Sequence, residues 1–456
     1  MRTDRETLCD LEVFECRHGG HPVMRFVDRC RTAGGSAFLK DLVKNGPGPD
    51  FSVRDLQEMT RFFHDEASEL AFPIGDKDAQ DLELYLESNY MGVDLTLTWN
   101  RYLQSYAYRY QYPEMFRFCR VGLQDAIRSI QACGRFIEGV RSHGNCPQGL
   151  KRVIDEFYKL YKMIDVEKIV AQGKDPSTVD VFVIDYLLRI QNKENLRKML
   201  EIMYRLDAHL GMAIATRENG FEFPTIVDDP GRRLEIRGLF HPFLSRPVRN
   251  DFLLDEERNL LFLTGPNMAG KSTFMKAVGI SLVLAHIGMG VPAESMTVSP
   301  VDYLFCELTM HDDVRLGISG FMAEVVRIQR ILQFCAGKLR LMVIIDEIFK
   351  GTNVLDAFEC SKLVINGLAG LREHFFLISS HLVELEPEIR PNGNIRFQCF
   401  NAEIREGRLA FRYRLADGVS NTRIGARLLE EHGVTTFFRE RARSPGDIPA
   451  NAGNCR

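Results

Sequence analysis

Residues 260–273 constrain this chain more than any other stretch. Leu260-Leu261-Phe262-Leu263-Thr264 is a short apolar run that passes into Gly265-Pro266-Asn267-Met268-Ala269-Gly270-Lys271-Ser272-Thr273. The second segment fits G-x-x-x-x-G-K-[ST], and a helical pattern follows from Phe274. Strand, glycine loop and helix in that order are what a phosphate-binding loop requires. Backbone N–H groups and the helix N-terminus would face phosphate oxygens. Lys271 would meet the β and γ phosphates, and the Ser272 hydroxyl would reach Mg²⁺. The reading is a P-loop site for ATP and Mg²⁺, with all nine residues Gly265 to Thr273 in contact with the nucleotide. A chance match in a glycine turn is the plain alternative, and the flanking strand and helix argue against it.

A second apolar run, Leu341-Met342-Val343-Ile344-Ile345, ends in Asp346-Glu347. This is the pattern of a Walker B strand. Asp346 is expected to hold Mg²⁺ together with Ser272, and Glu347 to orient or deprotonate the attacking water. A third run, 375–380, ends at His381, where an imidazole could contact the γ-phosphate or the water. Ligands gather at the carboxyl ends of parallel strands. The expected catalytic set is therefore Glu347, His381 and Lys271.

Upstream, residues 51–220 carry helical spacing almost throughout, with Leu56, Met59, Phe62 and Phe63 in one helix and Ile154, Phe157, Leu160 and Ile164 in another. Long helices in series suit a lever or spacer, and a plain helical bundle fits the pattern equally well. Residues 1–50 are mixed, and Gly46-Pro47-Gly48-Pro49 closes them. From residue 221 the pattern turns α/β. Two alternating segments flank Gly407, which predicts a hairpin at a sheet edge. A last helix is expected near 422–431, and the arginine-, proline- and glycine-rich residues 439–456 read as a disordered tail.

Composition narrows the setting. The net charge is −4, so any nucleic-acid contact needs a local basic face. Arg101, Arg109, Arg117, Arg120 and Arg128 are candidates, although arginines on long helices are usually just solvated. The eleven cysteines form no C-x-x-C or other framework and read as reduced thiols. The N-terminus lacks a signal-peptide pattern and no apolar run is long enough to span a bilayer, so a cytoplasmic protein with no membrane role is expected.

The ATPase half, roughly residues 203–431, resembles the DNA mismatch repair MutS family, a relative of the ABC-type ATPases. The resemblance rests on Thr264 to Thr273, Val291-Pro292-Ala293-Glu294, Gly317-Ile318-Ser319-Gly320-Phe321-Met322-Ala323-Glu324 and Asp346-Glu347-Ile348-Phe349-Lys350-Gly351-Thr352. Asp356, Ser380-His381 and Glu384-Leu385 complete it in the family's order. It implies a multidomain chain: a mainly helical N-terminal core/lever region followed by an α/β P-loop NTPase domain of the ABC/MutS type. The expected boundaries are 1–50, 51–220, 221–438 and 439–456.

The resemblance also implies that Ser319 reaches the ATP of a second subunit. That makes a homodimer with composite sites, in which Asn267 helps hold the phosphates and Asp356 lies where the two sites meet. It implies a DNA-associated ATPase in repair or recombination, possible protein partners, and a clamp-like conformational change. Several positions depart from the family. Pro247 stands where a phenylalanine stacks on adenine, so stacking must be weaker or supplied elsewhere. Glu307 and Lys350 replace arginines, and Asn421-Thr422-Arg423-Ile424-Gly425 replaces a serine–aromatic pair before glycine. The family's mismatch-reading motif is not found in residues 1–60, so direct mismatch reading is not expected. An ATP-driven switch acting on protein partners remains the alternative, and a degenerate ATP-binding structural dimer is a third reading.

Overall fold

The computed structural model describes residues 1–456 except 17–18, 89–100, 174, 228–230, 309–319, 350–351, 406–407, 421–428, 431 and 444–456. The chain divides into two compact units, Met1–Arg237 with Val278–Leu304, and Gly238–Ala277 with Phe305–Arg456.

The first unit is mainly helical. Helices α1 (Arg5–Asp10), α2 (Val23–Val27) and α3 (Ala33–Asn45) are followed by α4 (Val53–Asp65), α5 (Asp76–Glu87) and α6 (Arg101–Gln111). Then come α7 (Pro113–Ser142), α8 (Gln148–Ile164), α9 (Val166–Gly173), α10 (Thr178–Asp185) and, after one π-helical turn, α11 (Lys193–Glu218). Their starts are legible in local chemistry. Ser52 caps α4 and Ser177 caps α10, each in a reciprocal capping box with an Asp three residues on. Pro113 occupies the first turn of α7, where its missing N–H costs nothing.

Helix α11 is the spine of this unit and packs on α3, α4 and α8. Its Asp207 is buried and accepts from the Arg31 N–H at 3.0 Å, the Thr32 N–H at 2.9 Å and the Thr32 hydroxyl at 2.7 Å. Thr32 is in turn the N-cap of α3. Burial pushes the Asp207 carboxyl up, against the pull of these three hydrogen bonds. A Cβ at Gly35 would stand 2.3 Å from Asp207 Oδ2, so glycine is what lets α3 start this close. Two residues along α11, His209 is fully buried against the Thr60 hydroxyl at 2.9 Å, and burial lowers its pKa to about 3.

Short strands complete the unit. Arg2–Thr3 (β1) lie parallel to Tyr303 and Leu304. Thr225–Ile226 (β2) pair with Ser295–Val298, whose other edge pairs antiparallel with residues 234–237.

The second unit holds a parallel sheet. Its strands are β3 (Leu260–Thr264), β4 (Leu341–Ile345), β5 (Phe375–Ser379), β6 (Ile395–Arg405) and β7 (Arg408–Asp417), in the spatial order β4-β5-β3-β6-β7. The first four are parallel, and β7 returns antiparallel to β6, forming the hairpin the sequence predicts around Gly407. Every residue of β3, β4 and β5 is buried. Strands covered on both faces need apolar side chains at successive positions, which is why they read as unbroken runs. Helices α12 (Lys271–His286), α13 (Gly320–Cys335) and α14 (Val354–Ala369) follow or precede these strands. Helix α15 (Glu386–Ile389) precedes β6, and α16 is Val434–Arg443. Helix α16 thus extends regular structure past residue 439, where the sequence suggests a tail. The helix expected at 422–431 falls almost wholly outside the described residues. No helix among the described residues is long and apolar enough to cross a membrane.

Candidate functional site

The parallel register sets three strand ends side by side. Leu263 of β3 is opposite Ser379 of β5, and Ile345 of β4 is opposite Ile378. The residues just beyond each strand therefore emerge on one edge: the glycine loop after Thr264, Asp346-Glu347 after Ile345, and His381 after Ser379.

The loop is held in a shape few sequences allow. Gly265 has φ +147° and Gly270 has φ +104°. A Cβ on Gly265 would meet the Phe400 carbonyl oxygen at 2.7 Å, so no side chain fits. Met268 adopts φ +70° with its side chain mostly exposed. Helix α12 starts at Lys271, which aims its first-turn N–H groups at the loop. Lys271 is buried, and its Nζ donates to the Gly265 carbonyl at 2.7 Å and the Pro266 carbonyl at 3.4 Å. The ammonium thus lies in the curl of the loop.

Asp346 and Ser272 meet directly. The Ser272 hydroxyl donates to Asp346 Oδ2 at 2.5 Å, and the Ser379 hydroxyl donates to Asp346 Oδ1. The Asp346 N–H donates to the Glu307 carbonyl at 2.8 Å, which fixes the strand end against residues 305–307. Glu307, where the family has arginine, is ion-paired with Arg327 of α13.

The Glu347 backbone is left-handed, with φ +62°. Its N–H donates to the Ser379 carbonyl at 3.2 Å and hydroxyl at 3.1 Å. Its carboxylate Oε1 lies 2.5 Å from His381 Nε2. A non-glycine residue in this region stores strain, and such residues cluster at functional sites. The structure thus brings His381 to Glu347.

These groups border a cavity of about 530 Å³, whose lining includes Lys271, Ser272 and Glu347. That volume is ordinary for a small-ligand site. His241, Leu244, Val248 and Tyr413 also line it. Pro247 is not among the lining residues, whereas Tyr413 is, with its ring half exposed. The Asn250 side chain holds Tyr413 in place: Nδ2 donates to the Tyr413 carbonyl at 3.0 Å, and Oδ1 accepts the Leu415 N–H at 2.7 Å.

The sequence model of MutS domain V matches residues 261–444. Residues 261–444 of the chain are thus a MutS domain V. The DNA mismatch repair protein MutS of Anaplasma phagocytophilum (strain HZ) is 33% identical over 246 residues, which are 53% of this chain and 30% of that protein. MutS of Fusobacterium nucleatum is 33% identical over 214 residues, 45% of this chain and 23% of that protein. MutS of Brevibacillus brevis is 31% identical over 272 residues, 58% and 30%. The aligned part of the chain spans about a quarter to a third of the length of these relatives.

Among the residues singled out from sequence, the structure gathers Lys271, Ser272, Asp346, Glu347 and His381. Ser319, Lys350 and residues 421–425 lie outside the described residues. Asp356 is at the start of α14, where its N–H donates to the capping side chain of Asn353 at 3.0 Å. Two residues went unread in the sequence. Ser379 is a polar residue ending a buried strand, which is a usable signal. Tyr413 lies on an edge strand with no local mark of a site.

Of the five helical arginines, Arg109 donates to Thr178 Oγ1 at 2.8 Å and covers the Phe116 ring at 5.0 Å, and Arg128 pairs with Asp125 at 3.1 Å. Both serve their own unit. Arg117 and Arg120 are exposed, and the Arg101 side chain is outside the described residues.

Proposed function

We propose that this chain is a MutS-type P-loop ATPase that couples ATP binding and hydrolysis to DNA binding. The observation that carries the proposal is the convergence of Lys271, the Ser272–Asp346 pair and the Glu347–His381 pair at the carboxyl ends of three adjacent parallel strands. In this reading residues 51–220 are the core/lever and 221–438 the ABC/MutS-type ATPase domain.

The donor set suits Mg²⁺. A serine hydroxyl and a carboxylate in direct contact are hard oxygen ligands, and no group of three or more acidic, cysteine or histidine residues crowds them among the described residues. Mg²⁺ commonly takes one or two protein oxygens and completes its shell with phosphate and water. Ser272 and Asp346 would hold the ion, which when bound would offset negative charge on the phosphates during transfer.

The chain's own groups do the rest. Lys271 exchanges loop carbonyls for β and γ phosphate oxygens. The loop and the N-terminus of α12 cradle the triphosphate, with Asn267 helping to hold it. Glu347 orients the attacking water and accepts its proton. His381 acts on Glu347, holding the carboxylate at one angle. Tyr413 offers the aromatic face for the base that Pro247 does not supply. Ser319 of a second copy would complete each site, so the working form is a homodimer.

The test is a binding panel of homoduplex, mismatched, looped and branched DNA, each with and without ATP. ATP-dependent binding to at least one of them supports the proposal. Equal, negligible binding to all, alongside intact ATP hydrolysis, replaces it with a switch acting on protein partners.

A further inference from the structure

The sheet that carries the nucleotide cavity has a second concave site at its opposite edge. Leu260, the first residue of β3, is opposite Ile395 of β6, and Thr264, the last, is opposite Cys399. Four residue steps separate the two levels, about 13 Å at 3.3 Å each. A cavity of about 400 Å³ opens at the Ile395 level, so it is distinct from the one beside the glycine loop.

Three arginines border it: Arg258, Arg390 and Arg396. Arg258 sits on an exposed turn that Asp255 closes by accepting the Arg258 N–H at 2.8 Å. Arg390 lies over the Phe397 ring at 4.8 Å and is ion-paired through Nε with Glu386, which fixes its plane. Arg396 forms the wall, and its buried Nε–H has no hydrogen-bond partner among the described residues. Buried N–H groups of this kind are nearly always satisfied in a folded protein, so an orphan marks a site worth explaining. Asp417 is the carboxylate in the lining, and its Oδ1 accepts from Gln398 Nε2 at 3.2 Å.

Three arginines line one cavity, and a guanidinium group matches the oxygens of a phosphate group, since the planar fork offers paired donors at that spacing. Asp417 adds an acceptor, which suits a ligand that also carries a hydroxyl. The concave shape and the volume suit a small molecule. We propose that this cavity binds a small hydroxylated phosphate ester, of the size of a sugar phosphate, independently of the nucleotide site.

The experiment titrates ribose 5-phosphate into the full chain by calorimetry, in the wild type and in Lys271→Ala, Arg396→Gln and Arg258→Gln variants. The expected result is saturable binding that survives Lys271→Ala and weakens by about tenfold or more in each arginine variant. A fluorescent ATP analogue, measured on the same samples, should bind the arginine variants as it binds the wild type. That separates this site from the nucleotide reading. Arg258 lies on an exposed turn, so its variant keeps the test valid should Arg396→Gln unfold, and melting curves report which has happened. Absence of saturable binding, or binding abolished by Lys271→Ala alone, overturns the proposal. Displacement of ribose 5-phosphate by a short DNA duplex at lower concentration than the ester itself overturns it in favour of a nucleic-acid backbone contact.

Discussion

Glu347 and His381 touch at 2.5 Å although they come from different strands, and Ser379 of the histidine's strand also receives the Glu347 N–H. The residue is therefore held at its backbone by Ser379 and at its carboxylate by His381. Replacing Glu347 with Gln keeps the shape and the contact but removes the base. ATP binding should persist while turnover falls by about 10²–10⁴-fold, the usual contribution of a general base. Single-turnover kinetics with radiolabelled ATP measure it, and unchanged turnover would refute the assigned role.

His381→Ala should behave differently. Here the base remains but loses its orientation, so kcat should fall by a smaller factor than in Glu347→Gln, with KM nearly unchanged. If the histidine instead met the γ-phosphate directly, KM for ATP would rise as well. The kcat and KM split decides between them.

Ser319 and Lys271 offer a test of composite sites. Each single variant, Ser319→Ala and Lys271→Ala, should be nearly inactive. Mixing the two should restore about one working site in each mixed dimer. No recovery on mixing would exclude the shared-site arrangement.

Buried histidines predict an acid response. Burial holds His209 and His286 at about 3, well below the ordinary histidine value. Above pH 6.5 both states are neutral, and this contribution to stability is complete. As pH falls from 6.5 toward 3, the unfolded chain takes up protons that the folded chain does not. Stability should then decline by up to about 1.4 kcal/mol per pH unit for each histidine. Urea midpoints at pH 7, 6 and 5 measure the slope. His209→Leu should lower it by about one proton, because the Thr60 hydroxyl still donates to the Leu56 carbonyl at 3.0 Å. An unaltered slope would assign the acid response elsewhere.

Asp207 makes a structural prediction. Asp207→Ala strands two backbone N–H groups and a hydroxyl at the start of α3. A loss of about 3 kcal/mol is expected, since an unmet buried donor costs about 1–3 kcal/mol and neighbouring losses do not add fully. A denaturant curve that shifts by less than a third of that would mean water replaces the carboxylate.

The physical origin of each element decided whether it could be read in advance. Leu260–Thr264 and Leu341–Ile345 are buried on both faces, so each shows as an unbroken apolar run with its functional residues at the end. Helix α4 shows its cap and its apolar stripe together. Helices α1 and α2, by contrast, are six and five residues long, too short for a period to emerge. The strand pair of Ser295–Val298 with residues 234–237 is equally brief and joins segments far apart in sequence. Asp207 and Tyr413 act through partners distant along the chain, Thr32 and Asn250. No local pattern announces such a pair. The contact between His381 and Glu347 is of the same kind, since the strand ends were legible but the side chains' choice of each other was not.

Asn250 also has a part to play beyond placing Tyr413. Strand β7 ends the order of this sheet, and an edge strand offers unpaired main-chain groups to any passing β segment. The asparagine amide donates to Tyr413 and accepts from Leu415, the two contacts a neighbouring strand would make there. One side chain thus impersonates the next strand for the length of a residue pair. Arg412 and Arg414 flank Tyr413, and charge discourages stacking by a foreign strand. The same amide that places Tyr413 at the cavity beside the glycine loop therefore also guards this sheet against growth into an aggregate, so loss of Asn250 should first appear as turbidity at high protein concentration.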